Sequence, residues 1–399
     1  MACTTLVLNK STLLIRTQGL PAISVKCFSS DPDPKPIKSL SYLKKGTGGR
    51  SSFNGIVATV FGASGFLGRY VCNKLGKQGT QIIVPYRGDF GDVHRLRLVG
   101  DLGQVLFQQF QPRDDEAIRK AIKYSNVVIN LVGREFPTKN FSLQDCNVEF
   151  AGRLARLSKE MGVDKFIHVS ALNADPNPPT YYIPGGSKFY RTKYQGEQEV
   201  KREFPGATIF RPSDIYGQGD RFLRYYAHAF RSFRTSLAVY KKGEETIKQP
   251  VFASDVAAAI IAACKDPDAV GKTYQAVGPK RYYLSDLLDW FHVIMKKTDE
   301  AHGYNRYDLR YDPVIPIKLV ICSLFPGTPM ADLSPERVER EAHTDIFRKN
   351  LPTLEDLGVQ LTNMEDQVPW ELKPSSAFLS YDDEIGEFEK PVPPHPVPS

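Results

Sequence analysis

Short runs of β-branched and apolar residues alternate with segments of helical apolar spacing through the first half of the chain. Ile56–Phe61 reads as a strand, and its near-continuous apolarity predicts burial on both faces, as in a parallel sheet. Phe66–Lys77 predicts a helix and Gln81–Val84 a second strand. The pattern continues with strand Val105–Phe110, helix Asp114–Lys123, strand Asn126–Val132, helix Ser142–Met161 and strand Lys165–Ser170. A helix over 187–203 and strand Thr208–Phe210 complete the series. Strands separated by helices of this length predict an α/β fold with a doubly wound parallel sheet over residues 55–215.

Beyond 215 the alternation loosens. Arg221–Arg234, Ser254–Lys265, Ser285–Lys297 and Ser334–Ala342 predict helices, and Lys272–Val277 a strand. They predict a smaller C-terminal α/β lobe over 216–365 that docks on partners. Residues 366–399 end in a proline-dense run and predict an extended, exposed tail. At the other end, residues 29–54 are rich in proline, glycine and lysine and predict a linker, with order starting at Gly55. The longest apolar run, Val314–Phe325, is broken by Pro316 and Lys318 and falls short of a membrane span.

Composition adds a compartment. The first thirty residues carry Lys10, Arg16 and Lys26 and no acidic residue, are rich in Ser and Thr, and place Leu6, Leu13, Leu14 and Ile15 on one potential helical face. That pattern predicts a mitochondrial transit peptide over 1–28, cleaved near Phe28. The formal charge of +7 includes those three residues and is too mild for nucleic-acid binding. Six scattered cysteines and seven histidines without a helical i, i+4 pair give no metal site. There is no Gly-x-Ser-x-Gly elbow.

The chemistry lies in Gly62-Ala63-Ser64-Gly65-Phe66-Leu67-Gly68, between a strand and a helix. Its first glycine permits the tight turn, its second the approach of a pyrophosphate, and its third close packing of helix on strand. The helix N-terminus then offers N–H groups to phosphate. Such a loop in this context predicts a Rossmann dinucleotide site. An NAD-selective fold ends its second strand with a carboxylate for the ribose hydroxyls. Here that position reads Val84-Pro85-Tyr86-Arg87, and a guanidinium suits a 2′-phosphate. The expected cofactor is NADPH, with Arg69 as a second candidate cation and Gln111 as a weaker acceptor on the adenine side.

The Gly-x-x-Gly-x-x-Gly spacing resembles the extended and atypical short-chain dehydrogenase/reductases. "INLVG", Asn147, "FIHVSAL", "IFRPSDIYG" and "PVFASDVAAAI" carry that resemblance to about residue 280. It assigns cofactor contacts to Gly62, Ser64, Gly65, Phe66, Leu67, Gly68, Tyr86, Arg87, Leu131, Val132, Ser170, Lys193 and Pro212. Enzymes of this family use Tyr-x-x-x-Lys with a Ser at the end of the fifth strand, the tyrosine supplying the proton as hydride moves. Ser170, Lys193 and Glu197 fit, but Phe189 stands four residues before Lys193. Tyr190 is rotated by about 100° from that position on a helix, Tyr194 is also off the face, and Tyr181 and Tyr182 lie on the preceding loop.

With "PYRGD", "NVVINLVGREF", "PSDIYGQGDRFL" and "LPTLEDLGVQ" included, the chain resembles the nucleotide-binding accessory subunits of mitochondrial NADH:ubiquinone oxidoreductase, complex I. The resemblance implies a non-catalytic protein with structural NADPH on the matrix side of the inner membrane. Its partners would be other subunits of the peripheral arm, with lipid or membrane-surface contact through the C-terminal lobe. The second reading is an active NADP-dependent reductase or isomerase of the matrix that uses a displaced tyrosine. Position 189 separates the two.

Overall fold

The computed structural model describes residues 44–46, 48–228, 232–233, 236–297, 304–312, 316–317, 319–321, 334–377 and 391–398, with three short strands in the first forty residues. The chain divides into two units, Met1–Leu40 and Ser41–Ser399. In the first, Leu6–Asn9 pairs antiparallel with Thr12–Ile15, which pairs with Ser24–Val25. Leu6 lies opposite Ile15 and Leu8 opposite Leu13. The residues expected on one helical face therefore stand on paired strands, where β-branched Val7, Thr12 and Ile15 suit extended backbone. The cleavage point expected near Phe28 lies outside the described residues.

The second unit is built on seven strands: β1 (Val57–Phe61), β2 (Gln81–Tyr86), β3 (Val105–Gln109), β4 (Val127–Asn130), β5 (Lys165–Val169), β6 (Thr208–Pro212) and β7 (Thr273–Ala276). They pair in the order β3-β2-β1-β4-β5-β6-β7, all parallel. Every residue of β4 and β6 is buried, as their apolar runs require, whereas edge strand β3 is half exposed. The order reverses between β1 and β4, which opens the crevice at their C-terminal ends.

The connecting helices are α1 (Phe66–Lys77), α2 (Asp115–Ile122), α3 (Phe150–Glu160) and α4 (Lys188–Glu203). After β6 come α5 (Phe222–Ala227), α6 (Ala253–Lys265), α7 (Leu284–Ile294), α8 (Pro335–Ala342) and α9 (Met364–Leu372). Helices α1 and α6 pack together on one layer of the sheet, and α2, α3 and α4 form another. Phe61, Ile118, Val128, Phe150, Leu154, Phe166 and Val200 fill the core beneath the second layer. Asp114 starts α2 by accepting from the N–H groups of Glu116 (2.9 Å) and Ala117 (3.3 Å), a cap that contributes about 1 kcal/mol.

The C-terminal lobe has its own apolar cluster, in which Tyr216, Phe222, Tyr226, Leu237, Phe291, Val338, Val368 and Leu372 meet. Three expectations change here. The helix predicted over Arg221–Arg234 stops at Ala227, and Ser232–Phe233 instead pairs with Ser236–Val239. The tail predicted from residue 366 begins later, because α9 turns Met364, Val368 and Leu372 into the lobe core. Farther on, the Val397 N–H donates to the Arg281 carbonyl at 2.7 Å. The linker predicted up to residue 54 also ends early: Lys45 bridges Phe53, and Asn54 N–H donates to Gly79 O.

Candidate functional site

The glycine turn sits at the C-terminal end of β1. Gly62 has φ +83°, and a Cβ there would lie 3.0 Å from the Leu131 carbonyl carbon at the end of β4. A Cβ on Gly68 would lie 2.5 Å from Gly62 O and 2.6 Å from Ala63 Cα. The turn and the first turn of α1 thus pack backbone on backbone, which only glycine allows. A crevice opens beside them in two connected parts, with volumes of about 520 and 250 Å³.

Ser64, Tyr86, Arg87 and Val132 line the larger part, whereas Phe66, Leu67, Gly68, Ser170, Lys193 and Pro212 line the smaller. Gly62, Gly65 and Leu131 border both. All the residues expected to touch a cofactor therefore meet along one crevice. Two weaker candidates do not join them. Gln111 is exposed while its neighbours Phe110 and Pro112 line the wall. Arg69 lies against Gly219, turned away by the helical step after Gly68.

Lys193 is buried and its Nζ donates to the Val169 carbonyl at 3.0 Å. Burial pushes its basicity down to about 8, against the pull of Glu197. Glu197 in turn accepts two bonds from Arg211 (2.9 and 2.6 Å) in a fully buried pair. Ser170 is buried with no hydrogen-bond partner for its Oγ, a donor left facing the crevice. Ahead of α3 the chain widens into a π-turn, Asp145–Glu149. There the buried Asn147 accepts from Arg134 N–H (3.2 Å) and donates to Thr192 Oγ (3.1 Å). Irregular turns of this kind recur at ligand sites.

No tyrosine lines the part of the crevice that holds Ser170 and Lys193. Phe189 is there, with the Arg340 guanidinium 4.3 Å above its ring. Tyr190 is buried against His343 (centroids 5.1 Å apart), and Tyr181 packs on the same imidazole at 4.8 Å. Tyr182 faces the lobe core. The backbone N–H groups of Tyr181, Tyr182 and Ile183 all donate to Glu339 of α8, at 2.8, 2.6 and 2.7 Å. The displaced-tyrosine candidates are thus held facing away.

Helix α8 supplies what stands there instead. Its Glu336 accepts from Ser187 Oγ (3.0 Å) and from Lys188 and Phe189 N–H (3.1 and 3.2 Å), fastening α8 to the start of α4. Arg337 and Arg340 pair with Glu135 at 3.3 and 2.9 Å, and Arg340 lies 3.6 Å from Asp214. Burial alone would raise Glu135, but Arg340, Arg337 and Arg221 hold its carboxyl down to about 2. Asp214 is also driven up by burial, and Lys248 with the two arginines brings it down to about 2. Both stay ionised at neutral pH and cannot donate a proton. Asp214 belongs to this ion cluster, whereas Asp220 has a turn role, accepting from Gly217, Leu223 and Arg224 N–H groups.

The sequence profile of the NAD dependent epimerase/dehydratase family matches residues 58–277. A mitochondrial protein of Mus musculus, NADH dehydrogenase (ubiquinone) 1 alpha subcomplex subunit 9, is 47% identical over 326 residues, 81% of each chain. The chain belongs to the epimerase/dehydratase family, in its alpha subcomplex subunit 9 group. The NADH-ubiquinone oxidoreductase 40 kDa subunit of Neurospora crassa is 35% identical, covering 78% of each chain. The fold alone is shared with UDP-glucose 4-epimerase from Thermotoga maritima, at TM-score 0.56 and 16% identity, over 80% of this chain and 98% of that one.

Seen within this family, the α8 side chains are the feature that sequence reasoning missed. Glu336, Arg337, Glu339 and Arg340 lie more than a hundred residues after the glycine turn, Arg337 and Arg340 border the crevice, and no local motif announces them. Arg134 gave a signal. It directly follows "INLVG", at the strand end where crevice residues fall.

Proposed function

We propose that the chain is a non-catalytic subunit of mitochondrial NADH:ubiquinone oxidoreductase that holds NADPH as a structural cofactor. One observation carries the reading. The crevice has the parts that hold a dinucleotide but no group beside Ser170 and Lys193 that delivers a proton from the tyrosine position. The Gly62–Gly68 turn would receive the pyrophosphate, Arg87 the 2′-phosphate, and Lys193 with Ser170 the nicotinamide ribose. Leu131, Val132 and Pro212 supply apolar wall, and Arg87 in place of a carboxylate at the end of β2 supports NADPH over NADH.

Bound only by the folded chain, a nucleotide at a hundred times its Kd stabilises that fold by about 2.7 kcal/mol. The names of the mouse and Neurospora relatives support a place in that oxidoreductase; a position in its peripheral arm, on the matrix side, is part of the proposal. Exposed Ile317, Val320 and Ile321 support docking of the C-terminal lobe on other subunits or a membrane surface. No helix among the described residues is long and apolar enough to cross a membrane. Native separation of a detergent extract of mitochondria tests membership. The chain is expected to migrate with the intact respiratory complex, and a chain found only as a free protein of its own mass contradicts the assignment.

A further inference from the structure

The arginines around the crevice fall into two kinds. Arg153, Arg337 and Arg340 are neutralised by Asp115 or Glu135 at 3.5, 3.3 and 2.9 Å. Arg87, Arg113, Arg134 and Arg221 line the same crevice, yet none forms an ion pair among the described residues. Asp92, Asp145 and Glu149 share that wall and pair with none of the four. The side chains of Arg87, Arg134 and Arg221 donate no hydrogen bond to another described residue, and Arg113 makes one, to Asn140 O at 3.1 Å.

These four stand as two pairs, each sharing one aromatic ring. Arg87 and Arg113 lie 5.0 and 4.8 Å from the centroid of Phe141, and Arg134 and Arg221 lie 5.6 and 5.9 Å from that of Phe136. A ring seats the guanidinium carbon and leaves the N–H edges available. Two cations on one ring repel each other unless an anion lies between their edges. Glu135 lies close enough to feel the charge of Arg221, but no carboxylate forms an ion pair with any of the four among the described residues. Arg134 carries the mark of that crowding: burial first, then the charges of Arg221 and Arg87, depress its basicity. Carboxylates pair with the arginines of the α8 cluster; these four are left with N–H edges that a ligand's phosphate can take.

Their positions match a molecule with phosphate at two separated points. Arg87 and Arg113 follow β2 and β3 and border only the larger part of the crevice. Arg134 follows β4 and Arg221 precedes α5, and both border the two parts together with Gly62 and Gly65. We propose that the two pairs form a two-point phosphate clamp. Arg87 with Arg113 binds the 2′-phosphate, and Arg134 with Arg221 binds the pyrophosphate in concert with the glycine turn. This rests on the NADPH reading above and extends it to Arg113, Arg134 and Arg221. It also ties the nucleotide to the second lobe, because the Arg221 carbonyl accepts from Arg337 of α8 at 3.2 Å.

Titration of the full chain with NADPH and with NADH separates the two points. Arg113→Gln should weaken NADPH about tenfold and leave NADH within about twofold. The double variant Arg134→Gln, Arg221→Gln should weaken both nucleotides by about tenfold or more. Mutual repulsion of the arginines offsets the contacts they make, the Arg113 bond to Asn140 O among them, so the unliganded variants should melt close to the wild type. Unchanged affinities overturn the clamp, and so does a lower melting temperature, which would give these residues a structural role. A wild-type chain that binds NADH as tightly as NADPH removes the reading beneath the Arg87–Arg113 point, while the NADH arm still decides Arg134 and Arg221.

Discussion

Replacing Gly68 by valine is expected to strip the protein of nucleotide while leaving the sheet folded. The first atom of any side chain at this position would lie 2.5 Å from Gly62 O and 2.6 Å from Ala63 Cα. Both contacts are to backbone, so no side chain can swing aside to relieve them. Helix α1 would have to lift from the turn, and the N–H groups at its start would no longer converge on a phosphate. The affinity for NADPH should fall by at least about a hundredfold, or about 2.7 kcal/mol. Overpacking of this kind also costs about 1–3 kcal/mol of stability. Equilibrium titration with a parallel thermal melt reads both quantities. A variant that binds within tenfold of the wild type would show that the turn does not shape the site.

Glu339→Ala is expected to produce the largest loss of stability. Glu339 is fully buried, and its carboxylate is the acceptor for three successive N–H groups, those of Tyr181, Tyr182 and Ile183. Alanine leaves all three without that acceptor, at about 1–3 kcal/mol for each group that water does not reach. The expected total is about 3–5 kcal/mol by chemical denaturation, with earlier proteolysis of the loop before α4. Glu339→Gln keeps one acceptor oxygen and should lose less than half as much. An alanine variant within about 1 kcal/mol of the wild type would mean that α8 does not fasten this loop.

How much of this was legible beforehand depends on the range over which each feature is encoded. Most of the sheet was readable because its inner strands are local apolar runs, and β4 and β6 are buried throughout as their composition requires. The Gly62–Gly68 turn, Arg87 and Ser170 were readable because each directly follows such a strand, and Lys193 by its place in the family's motif on the helix after β5. Boundaries were less legible. Phe222–Ala227 is too short to carry the helix expected to Arg234, and the strand that follows is specified by its partner Ser236–Val239. In α9, Pro369 and a polar surface hid a helix whose register only the lobe core fixes. The α8 cluster was invisible for the same reason: Glu135 meets Arg337 across some two hundred residues of chain, and only the folded lobe brings them together.

Under the proposed function this chain keeps NADPH and does not use it. The direct measurement takes the protein released from its native complex, identifies the nucleotide freed by denaturation, and follows NADPH absorbance of the intact protein against a broad carbonyl panel. Close to one NADPH per chain, with no oxidation beyond the buffer rate, is the expected result. Turnover that disappears on mutating Tyr190 or Tyr181, or a chain that releases NAD instead of NADPH, would contradict it.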